Sequence, residues 1–344
     1  MYSIDQTILL GKNLSELSKI CMENNFPSFH GEQLYKWMYQ KSIIDIQSMS
    51  NIPDKLKQII SEKYKINLLS IKKEFQSQTE DTIKYLFETS DNKLIESVSM
   101  IEKSRHTICI SSQIGCSVDC SFCATGKMGI IRNLDTGEII EQIIIISKDR
   151  KIPITNIVFM GMGEPFLNYH NVISACNIFN NPSGFNLSSK RITISTSGIL
   201  TKIEKYINEK NKYKLAISLN ASNNKTRNHL IPINKKWPIE DILDVIKKYK
   251  FTKHQPIMFE YVLIDGVNDS KENAKELAGL LRQIICKINI IPYNVTVNNY
   301  KRSKNINNFI DILNNHKGNF RVLIRQNKGQ DISAACGQLV TENV

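Results

Sequence analysis

Three cysteines stand at spacings of four and three residues in the segment Cys116-Ser-Val-Asp-Cys120-Ser-Phe-Cys123. A structural zinc site closes four positions, usually with paired cysteine knuckles or with histidines at matched spacing. No fourth cysteine follows nearby, and His106 lies on the far side of the strand predicted ahead of this segment. A cluster of four irons and four sulfides held by three thiolates leaves one iron open to another ligand. The spacing therefore favours an iron–sulfur cluster over zinc or a chance grouping of thiols.

Polar residues and glycines also follow four predicted strands, at the points where those strands end. They are Gly161-Met-Gly163-Glu164-Pro165, Ser195-Thr-Ser-Gly198, Ser218-Leu219-Asn220 and Asn294. Ligands of parallel β/α folds gather at the carboxyl ends of strands, although such residues often only cap the next helix. The first segment lacks the third glycine of a dinucleotide-binding fingerprint. Close backbone approach and a carboxylate instead suit a ligand with an ammonium group.

Glu96 interrupts an apolar row on a predicted strand. Period two places it on one face with Leu94, Val98 and Met100. Either that face is exposed, or the carboxylate is desolvated with a raised pKa and can act as a base near neutral pH. The pattern alone leaves both interpretations open.

The remaining five cysteines do not have the spacing that is typical of metal ligands. Cys21, Cys176 and Cys286 lie in helix-like surroundings and are predicted to be core thiols. By pattern alone, Cys109 is a buried strand thiol, and Cys336 lies in a tail between Ala335 and Gly337. For the eight cysteines as a group, a reducing compartment favours ligands or reactive thiols over structural disulfides.

The elements that must position these residues alternate between strand and helix after residue 107. Strands are predicted near 107–113, 154–161, 190–196, 213–220, 256–264 and 287–293, with helices near 136–148, 170–180, 200–209, 239–250, 271–285 and 305–316. Asp135 and Glu138 form a capping box at the first of these helices. Six such units predict an α/β fold with a parallel sheet, either curved into a partial barrel or open and doubly wound.

Ahead of these units the pattern predicts a small helical domain and then strands. Helices are expected at 13–24, 28–39 and 53–63, and a hairpin at 82–100 turns through Ser90-Asp91-Asn92. The predicted division is an N-terminal helical, RNA-binding domain at 1–70, a β extension at 71–101, a barrel core at 102–329 and a C-terminal tail at 330–344 that carries Cys336.

The chain has 344 residues and a net charge of +12, which suits a polyanion such as nucleic acid but also fits a composition rich in lysine throughout. Lys301, Arg302 and Lys304 would meet phosphates or form a solvated loop. No signal peptide and no apolar run long enough to span a bilayer is found, so a cytoplasmic protein without membrane contact is expected.

The motif C-x3-C-x2-C, with Phe122 before its last cysteine, resembles that of the radical S-adenosylmethionine superfamily. In that superfamily the open iron binds the amino and carboxylate groups of S-adenosylmethionine. The resemblance favours a partial (β/α)6 TIM-like barrel over the open sheet. Further segments closely resemble the bacterial dual-specificity ribosomal RNA and transfer RNA adenine-C2 methyltransferases. These segments are 109–116, 122–126, 160–165, 195–198 and 334–339.

This resemblance implies a [4Fe-4S] cluster on Cys116, Cys120 and Cys123, and S-adenosylmethionine as the second cofactor. It implies that S-adenosylmethionine is bound by Gly163, Glu164, Ser195, Ser218, Leu219, Asn220 and Asn294. The family commonly has histidine at the position of Asn220. Asparagine keeps the capacity for hydrogen bonds but does not titrate, which puts any protonic role there in doubt.

The resemblance also implies how the reaction proceeds. Cys336 would be methylated by one S-adenosylmethionine, and a 5′-deoxyadenosyl radical from a second would abstract hydrogen from the methylthioether. The carbon radical would add to C2 of adenine, Glu96 would remove the C2 proton, and Cys109 would attack the sulfur of Cys336. A transient disulfide would remain for a thiol reductant to reopen.

The implied substrates are adenosine 2503 of 23S ribosomal RNA and adenosine 37 of certain transfer RNAs. Each base must leave its stack to reach such a site. The enzyme is expected to be a monomer that takes electrons from a flavodoxin or ferredoxin system. The alternatives are an adenine-C8 methyltransferase of the antibiotic-resistance type, which Pro165 and Ser197 fit less well, and a zinc-stabilised RNA-binding module without catalysis.

Overall fold

The structure is a computed structural model that describes residues 7–249, 251–252, 255–296, 299–325 and 328–340. Its strands are β1 (Thr7–Ile8), β2 (Tyr64–Lys65), β3 (Leu69–Gln76), β4 (Thr82–Thr89), β5 (Leu94–Glu102), β6 (Arg105–Cys109), β7 (Gln113–Gly115), β8 (Ile130–Asn133), β9 (Asn156–Phe159), β10 (Ile192–Thr196), β11 (Lys214–Ser218), β12 (Ile257–Leu263), β13 (Cys286–Pro292) and β14 (Phe320–Ile324). Its α-helices are α1 (Leu14–Glu23), α2 (Phe29–Tyr35), α3 (Asp54–Lys63), α4 (Ala124–Lys127), α5 (Thr136–Arg150), α6 (Tyr169–Asn180), α7 (Leu200–Asn208), α8 (Asn224–Leu230), α9 (Ile239–Lys248), α10 (Lys271–Leu281) and α11 (Ile306–Asn315).

Ten strands form the central sheet, in the order β14-β13-β12-β11-β10-β9-β6-β5-β4-β3. From β6 to β14 every neighbouring pair is parallel, and at least one helix lies in each of the six crossovers. The predicted α/β fold of six strand–helix units is therefore confirmed, with β14 as a seventh parallel strand.

The sheet is curved rather than flat. Arg325 directly follows β14 and Cys109 ends β6, and six strand spacings separate β14 from β6 in the sheet order. In a flat sheet six spacings would hold these strands about 29 Å apart. Both residues nevertheless line one small cavity. The parallel strands thus bend into a partial barrel, the curved alternative that the resemblance favoured.

Three antiparallel strands extend this sheet beyond β6. The hairpin β4–β5 turns where predicted, and Asn92 takes the left-handed φ of +58° that asparagine tolerates in such turns. β6 ends at Cys109, four residues before the predicted end. Two residues on, Ser111 donates its backbone N–H to Oε1 of Gln142 and its hydroxyl to the carbonyl of Glu96, so side chains replace the ladder there.

Helix boundaries follow their capping residues. The predicted capping box of α5 is present between Asp135 and Glu138, and Arg132 pairs with the Glu138 carboxylate at 2.8 Å. The remainder of α5 buries a row of isoleucines against the sheet. Cys21 and Cys176 are buried helical thiols, as predicted. Cys286 is also buried, but it begins β13 and is not helical, because it continues the apolar strand rather than α10.

The segments that flank the N-terminal helices pack closely on α5 of the barrel. The backbone N–H groups of Leu68 and Leu69 donate to Oε2 of Glu141 on α5, at 2.7 and 3.0 Å. At Gly137 an added Cβ would lie 2.5 Å from the carbonyl oxygen of Leu10, so only glycine allows this approach. Within the described residues, no helix combines the length and apolar character required to cross a lipid bilayer.

Candidate functional site

A cavity of about 900 Å³ opens at the carboxyl ends of the parallel strands. Segments that follow β7, β9, β10, β11 and β13 contribute to its wall, and Glu260 joins them from within β12. The predicted site residues that line it are Cys116, Cys120, Cys123, Gly163, Glu164, Ser195, Ser218, Asn220, Asn294 and Cys336. The fold therefore brings residues that are more than 200 positions apart in sequence to one place.

The three clustered cysteines lie on the loop after β7. Gly115 takes a φ of +74°, and an added Cβ would lie 1.9 Å from the Gly129 carbonyl oxygen, so the loop begins with an obligatory glycine. The N–H of Cys116 donates to that same oxygen at 2.8 Å. Burial raises the pKa of all three thiols, to about 12 for Cys116. They become thiolates when a metal binds them.

The donor set around these thiols fits an iron–sulfur cluster with an open iron. Apart from Cys336, which lies on the tail, the other polar side chains that line the cavity are carboxylates, hydroxyls and amides, and no histidine is among the described lining residues. Among the described residues, no group of three or more His, Cys, Asp and Glu side chains is packed closely enough to hold a single metal ion. The assignment therefore depends on the ligand spacing and on the common cavity.

Gly163 and Glu164 form a fixed turn after β9. Gly163 takes a φ of +98°, and an added Cβ would lie 2.5 Å from Cβ of Gln113. The Glu164 carboxylate accepts the N–H groups of Phe166 at 2.9 Å and Ser197 at 2.7 Å. Burial raises its pKa and these two N–H donors oppose that shift. A buried carboxylate held in this way can also accept a bond from a cationic ligand.

Ser195 and Ser218 face each other across neighbouring strands, with 3.4 Å between their hydroxyl oxygens. Ser195 also donates to Oε2 of Glu260 at 3.0 Å. Glu260 is a buried carboxylate on β12, and its Oε1 accepts no hydrogen bond from the described residues. This part of the wall therefore presents two hydroxyls and a carboxylate to a polar ligand.

Of the two neighbours Leu219 and Asn220, only Asn220 lines the cavity. Asn220 lines the cavity with a left-handed φ of +56°, and its Oδ1 accepts the Val262 N–H at 2.8 Å. Leu219 does not line the cavity, because its side chain is fully buried behind the wall. Its carbonyl oxygen accepts a bond from Arg227, which also donates to the carbonyl of Ser197. Arg227 thus holds two wall segments together.

The tail closes one side of the cavity. Asn294 donates to the carbonyl of Cys336 at 3.2 Å and accepts a bond from Gln330. The Gly337 carbonyl accepts the N–H of Ala124, next to Cys123, at 2.7 Å. Cys336 is half-buried, and it also lines a second cavity of about 430 Å³ with Cys109. The two reactive thiol candidates therefore share a space that adjoins the clustered cysteines.

Glu96 lies beside this space and lines neither cavity. It is fully buried on β5, which decides between the two interpretations of the apolar row in favour of the desolvated one. Its Oε1 pairs with Nζ of Lys84 at 2.9 Å, and its Oε2 accepts the N–H of Val340 at 2.9 Å. Burial raises its pKa, while Lys84 and the Val340 N–H oppose the rise.

Three charged residues of this region were missed by sequence reasoning. Glu260 interrupts the apolar strand β12 just as Glu96 interrupts β5, so the same signal would have found it. Arg325 directly follows the last parallel strand, at the edge where ligand-binding residues gather. Arg227 lies in the short helix α8, which was not predicted, and no pattern in the sequence marks it.

A parallel barrel whose strand ends surround three cysteines spaced C-x3-C-x2-C defines a radical S-adenosylmethionine enzyme. A protein-family model described as the radical SAM superfamily matches residues 110–278. A second model, for the N-terminal domain of ribosomal RNA large subunit methyltransferases, matches residues 7–66. This superfamily binds a [4Fe-4S] cluster and S-adenosylmethionine.

Relatives narrow the class further. The chain is 40% identical to a probable dual-specificity RNA methyltransferase RlmN of Clostridium novyi, over 96% of this chain and 97% of that protein. It is 39% identical to the one of Spiroplasma citri, over 98% of both. A crystal structure of a radical SAM methyltransferase from Sphaerobacter thermophilus matches with a TM-score of 0.91 at 38% identity, covering 97% of this chain and 99% of that one. The chain belongs to the RlmN family of radical SAM RNA methyltransferases.

Proposed function

We propose that the protein methylates C2 of adenosine 2503 in 23S ribosomal RNA and of adenosine 37 in certain transfer RNAs. Adenine C2 is an electron-poor ring carbon with no lone pair to attack a sulfonium methyl group. A polar transfer directly to it is therefore unfavourable, and the methyl group must first reside on the protein. Cys336 is the carrier in this proposal, because its thiol lines both the cavity of the clustered cysteines and the cavity of Cys109.

The binding roles follow from the walls of the larger cavity. Cys116, Cys120 and Cys123 would hold the cluster, and Glu164 would accept the ammonium group of S-adenosylmethionine. The polar groups of Ser195, Ser218, Asn220 and Asn294 would bind the remainder of the nucleoside, whereas Leu219 would act only through its backbone. The Oδ1 of Asn220 is engaged by Val262, so a role in proton transfer is not assigned to this residue.

Two molecules of S-adenosylmethionine are used in a ping-pong order. Cys336 first takes a methyl group in a polar step, which its thiolate can perform. A cluster held by Cys116, Cys120 and Cys123 would supply one-electron chemistry: with the second S-adenosylmethionine it would provide the radical that takes hydrogen from the methylthioether, and it would accept the electron that is lost after the resulting carbon radical has bonded to C2.

Glu96 and Cys109 then release the product. Glu96 accepts the C2 proton, as a desolvated carboxylate with a raised pKa can do. The Cys109 thiolate attacks the sulfur of Cys336, so that an S–S bond forms as the bond from that sulfur to the methylene carbon breaks. The electron pair of the broken bond goes to the carbon, which takes up a proton and becomes the methyl group. A thiol reductant then reopens the disulfide.

The position of Cys109 carries this proposal. Once the carbon on the Cys336 sulfur has bonded to C2, that sulfur joins the protein to the RNA. A second thiol in the same cavity provides the nucleophile that releases the RNA. A monomer in the cytoplasm, supplied with electrons by a flavodoxin or ferredoxin system, would meet both RNAs.

The test is a Cys109→Ala variant with reconstituted cluster, incubated anaerobically with RNA, reductant and S-adenosylmethionine. It should accumulate a protein–RNA crosslink through Cys336, while Cys176→Ala, which alters a buried helical thiol, should not. Methylation by Cys109→Ala at the rate of the unmodified protein, with no crosslink, would overturn the proposal. Mass spectrometry of the modified adenosine distinguishes C2 from C8.

A further inference from the structure

Arg325 directly follows β14, the last parallel strand, and shares a cavity with Cys109 at the end of β6, the first. Its backbone N–H donates to the Ile290 carbonyl at 2.9 Å, which continues the ladder of β14 by one residue and fixes the main chain. Its side chain lines the second cavity together with Cys109 and Cys336, and only 24% of that side chain is exposed. Neither the resemblance nor the function proposed above assigns it a role.

The guanidinium group has few partners for its charge. Nη1 lies 3.1 Å from Sδ of Met160 and 3.7 Å from Oε1 of Glu260. The first is a weak acceptor and the second is beyond hydrogen-bond distance, so the charge is not neutralised by a close carboxylate pair. The electrostatic neighbours of Arg325 are Cys336, Glu260 and Cys109, and together they raise its pKa.

A cation near Cys109 would favour the thiolate form that this residue needs in order to react. Burial, together with Cys336 and Glu260, raises the pKa of this thiol to about 12. Two groups oppose the rise: the charge of Arg325 and the backbone N–H of Met160, which bonds to the sulfur. Only the thiolate attacks a sulfur in thiol exchange, so the rate near neutral pH depends on these two groups.

Other charged groups also lie near Cys109. Lys328 lines the same cavity, and its Nζ lies 3.7 Å from the carboxylate of Glu80, as far as Arg325 lies from Glu260. Its charge is not among the main influences on the pKa of Cys109, whereas that of Arg325 is. Glu96, on the strand next to β6, is paired with Lys84 at 2.9 Å. Of the two described cations that line this cavity, Arg325 is therefore the one whose charge opposes the rise in the pKa of this thiol.

We propose that Arg325 is a positioning residue for the thiol exchange: its guanidinium, placed between the two ends of the barrel, holds the sulfurs of Cys109 and Cys336 together and stabilises the Cys109 thiolate that attacks. The inference rests on the function proposed above, in which Cys109 releases the RNA from Cys336. It adds the group that makes a deeply buried thiol reactive.

The exchange can be studied without RNA or S-adenosylmethionine. Oxidised glutathione converts the half-buried Cys336 into a mixed disulfide and releases one glutathione. Cys109 then displaces the second glutathione, so that a Cys109–Cys336 bond forms as the bond between Cys336 and glutathione breaks, and glutathione leaves as the thiolate. The full-length, cluster-loaded protein is kept anaerobic, and peptide mass spectrometry measures between pH 6 and pH 10 how far the second step has gone after a fixed time. The pH at which the step is then half complete is its pH midpoint.

Arg325→Met should shift the pH midpoint of this step upward by about one unit or more, because removing a cation near a thiolate has an effect of this order. At pH 7.5 the step should then be at least about tenfold slower. Arg325→Lys keeps the charge and should recover most of the rate. Arg321→Met is the matched control, because Arg321 is exposed on the same strand. A purely structural role would lower the amount of folded protein without moving the midpoint.

Unchanged pH midpoints in Arg325→Met, or a loss in Arg325→Lys equal to that in Arg325→Met, would overturn this inference. Its failure is distinguishable from failure of the proposed function, which depends on the crosslink that Cys109→Ala accumulates with RNA. If the crosslink forms and the midpoint does not move, only the role of Arg325 is wrong. If the midpoint moves and no crosslink forms, Arg325 does promote the thiol exchange, but the proposed release of RNA by Cys109 is wrong.

Discussion

The backbone N–H of Val340 donates to Oε2 of Glu96 at 2.9 Å, although the two residues are 244 positions apart. This bond joins the C-terminal tail, which carries Cys336, to the strand that carries the proposed base. The other oxygen of Glu96 pairs with Lys84 in the same buried region. A change at Glu96 therefore affects a carboxylate that is held in place from two sides.

Glu96→Gln should block the release of RNA without blocking the first methyl transfer. The amide can still accept the Val340 N–H, but it cannot take up the C2 proton. Loss of a general base typically lowers a rate by about 100-fold or more. Mass spectrometry should find methylated Cys336 at the usual level, while methylated RNA falls by that factor.

Glu88→Gln is the control for this change, because Glu88 lies on the neighbouring strand β4 in a surface ion pair with Lys72. It should leave both measurements unchanged. Equal losses of methylated Cys336 and methylated RNA in Glu96→Gln would instead indicate that Glu96 supports the fold of the site and is not the base.

Cys116→Ala should abolish the cluster and leave the fold in place. Two thiols remain, which are too few for a stable cubane, so iron and labile sulfide in the purified protein should fall to background. Cys21→Ala removes a buried thiol in α1 and should retain full iron content. Circular dichroism distinguishes loss of the cluster from loss of the fold, and full iron content in Cys116→Ala would contradict the assignment.

Much of this site could be predicted because its signals are local. The cysteine spacing is contained in eight residues, and the segments after β9, β10, β11 and β13 are each read from a strand and the turn behind it. The fold then brings them together for a general reason, since the carboxyl ends of parallel strands share one edge of the sheet. Leu219 is the exception, because a local motif does not show which of its residues faces the cavity.

The parts that could not be predicted depend on long-range contacts. β6 ends early because Gln142 of α5 binds the N–H of Ser111, and no pattern around Ser111 reveals this partner. The role of Arg325 depends on the curvature that brings β14 to β6. Periodicity measures which face of a strand is apolar and contains no information about curvature, so nothing in the sequence connects Arg325 with Cys109.

Gly163→Ala should weaken binding of S-adenosylmethionine. A side chain at this φ of +98° is strained, and its Cβ would lie 2.5 Å from Cβ of Gln113, which would displace the turn that carries Glu164. Strain of this kind costs on the order of 1 to 3 kcal/mol. Isothermal titration calorimetry should therefore show an affinity at least about fivefold lower.

Gly266→Ala distinguishes the effect of backbone strain from the effect of the contact with Gln113. Gly266 has a similar left-handed φ of +67°, but an added Cβ there would meet nothing within 4 Å. It should lower the melting temperature slightly and leave binding unchanged. Equal effects of the two substitutions on binding would show that the contact with Gln113 has no part in shaping the site.

Glu141→Gln should remove a pH dependence of stability at the junction of the N-terminal helices and the barrel. Burial raises the pKa of Glu141 to about 8, against the opposing N–H groups of Leu68 and Leu69. A carboxyl whose pKa is higher in the folded state than in the unfolded state binds protons preferentially in the folded state. Its stabilising contribution is complete below about pH 4.5 and is lost as pH rises through about 8.

The free energy of unfolding of the unmodified protein should accordingly fall by on the order of 3 kcal/mol between pH 5 and pH 9 from this group alone. Glutamine still accepts the two N–H groups but does not titrate, so thermal unfolding of Glu141→Gln should show a much smaller fall over that range. Glu204→Gln, an exposed change on α7, should retain the slope of the unmodified protein. Parallel pH profiles for Glu141→Gln and the unmodified protein would mean that Glu141 remains ionised in the folded state, because water reaches it or a cation compensates for its burial.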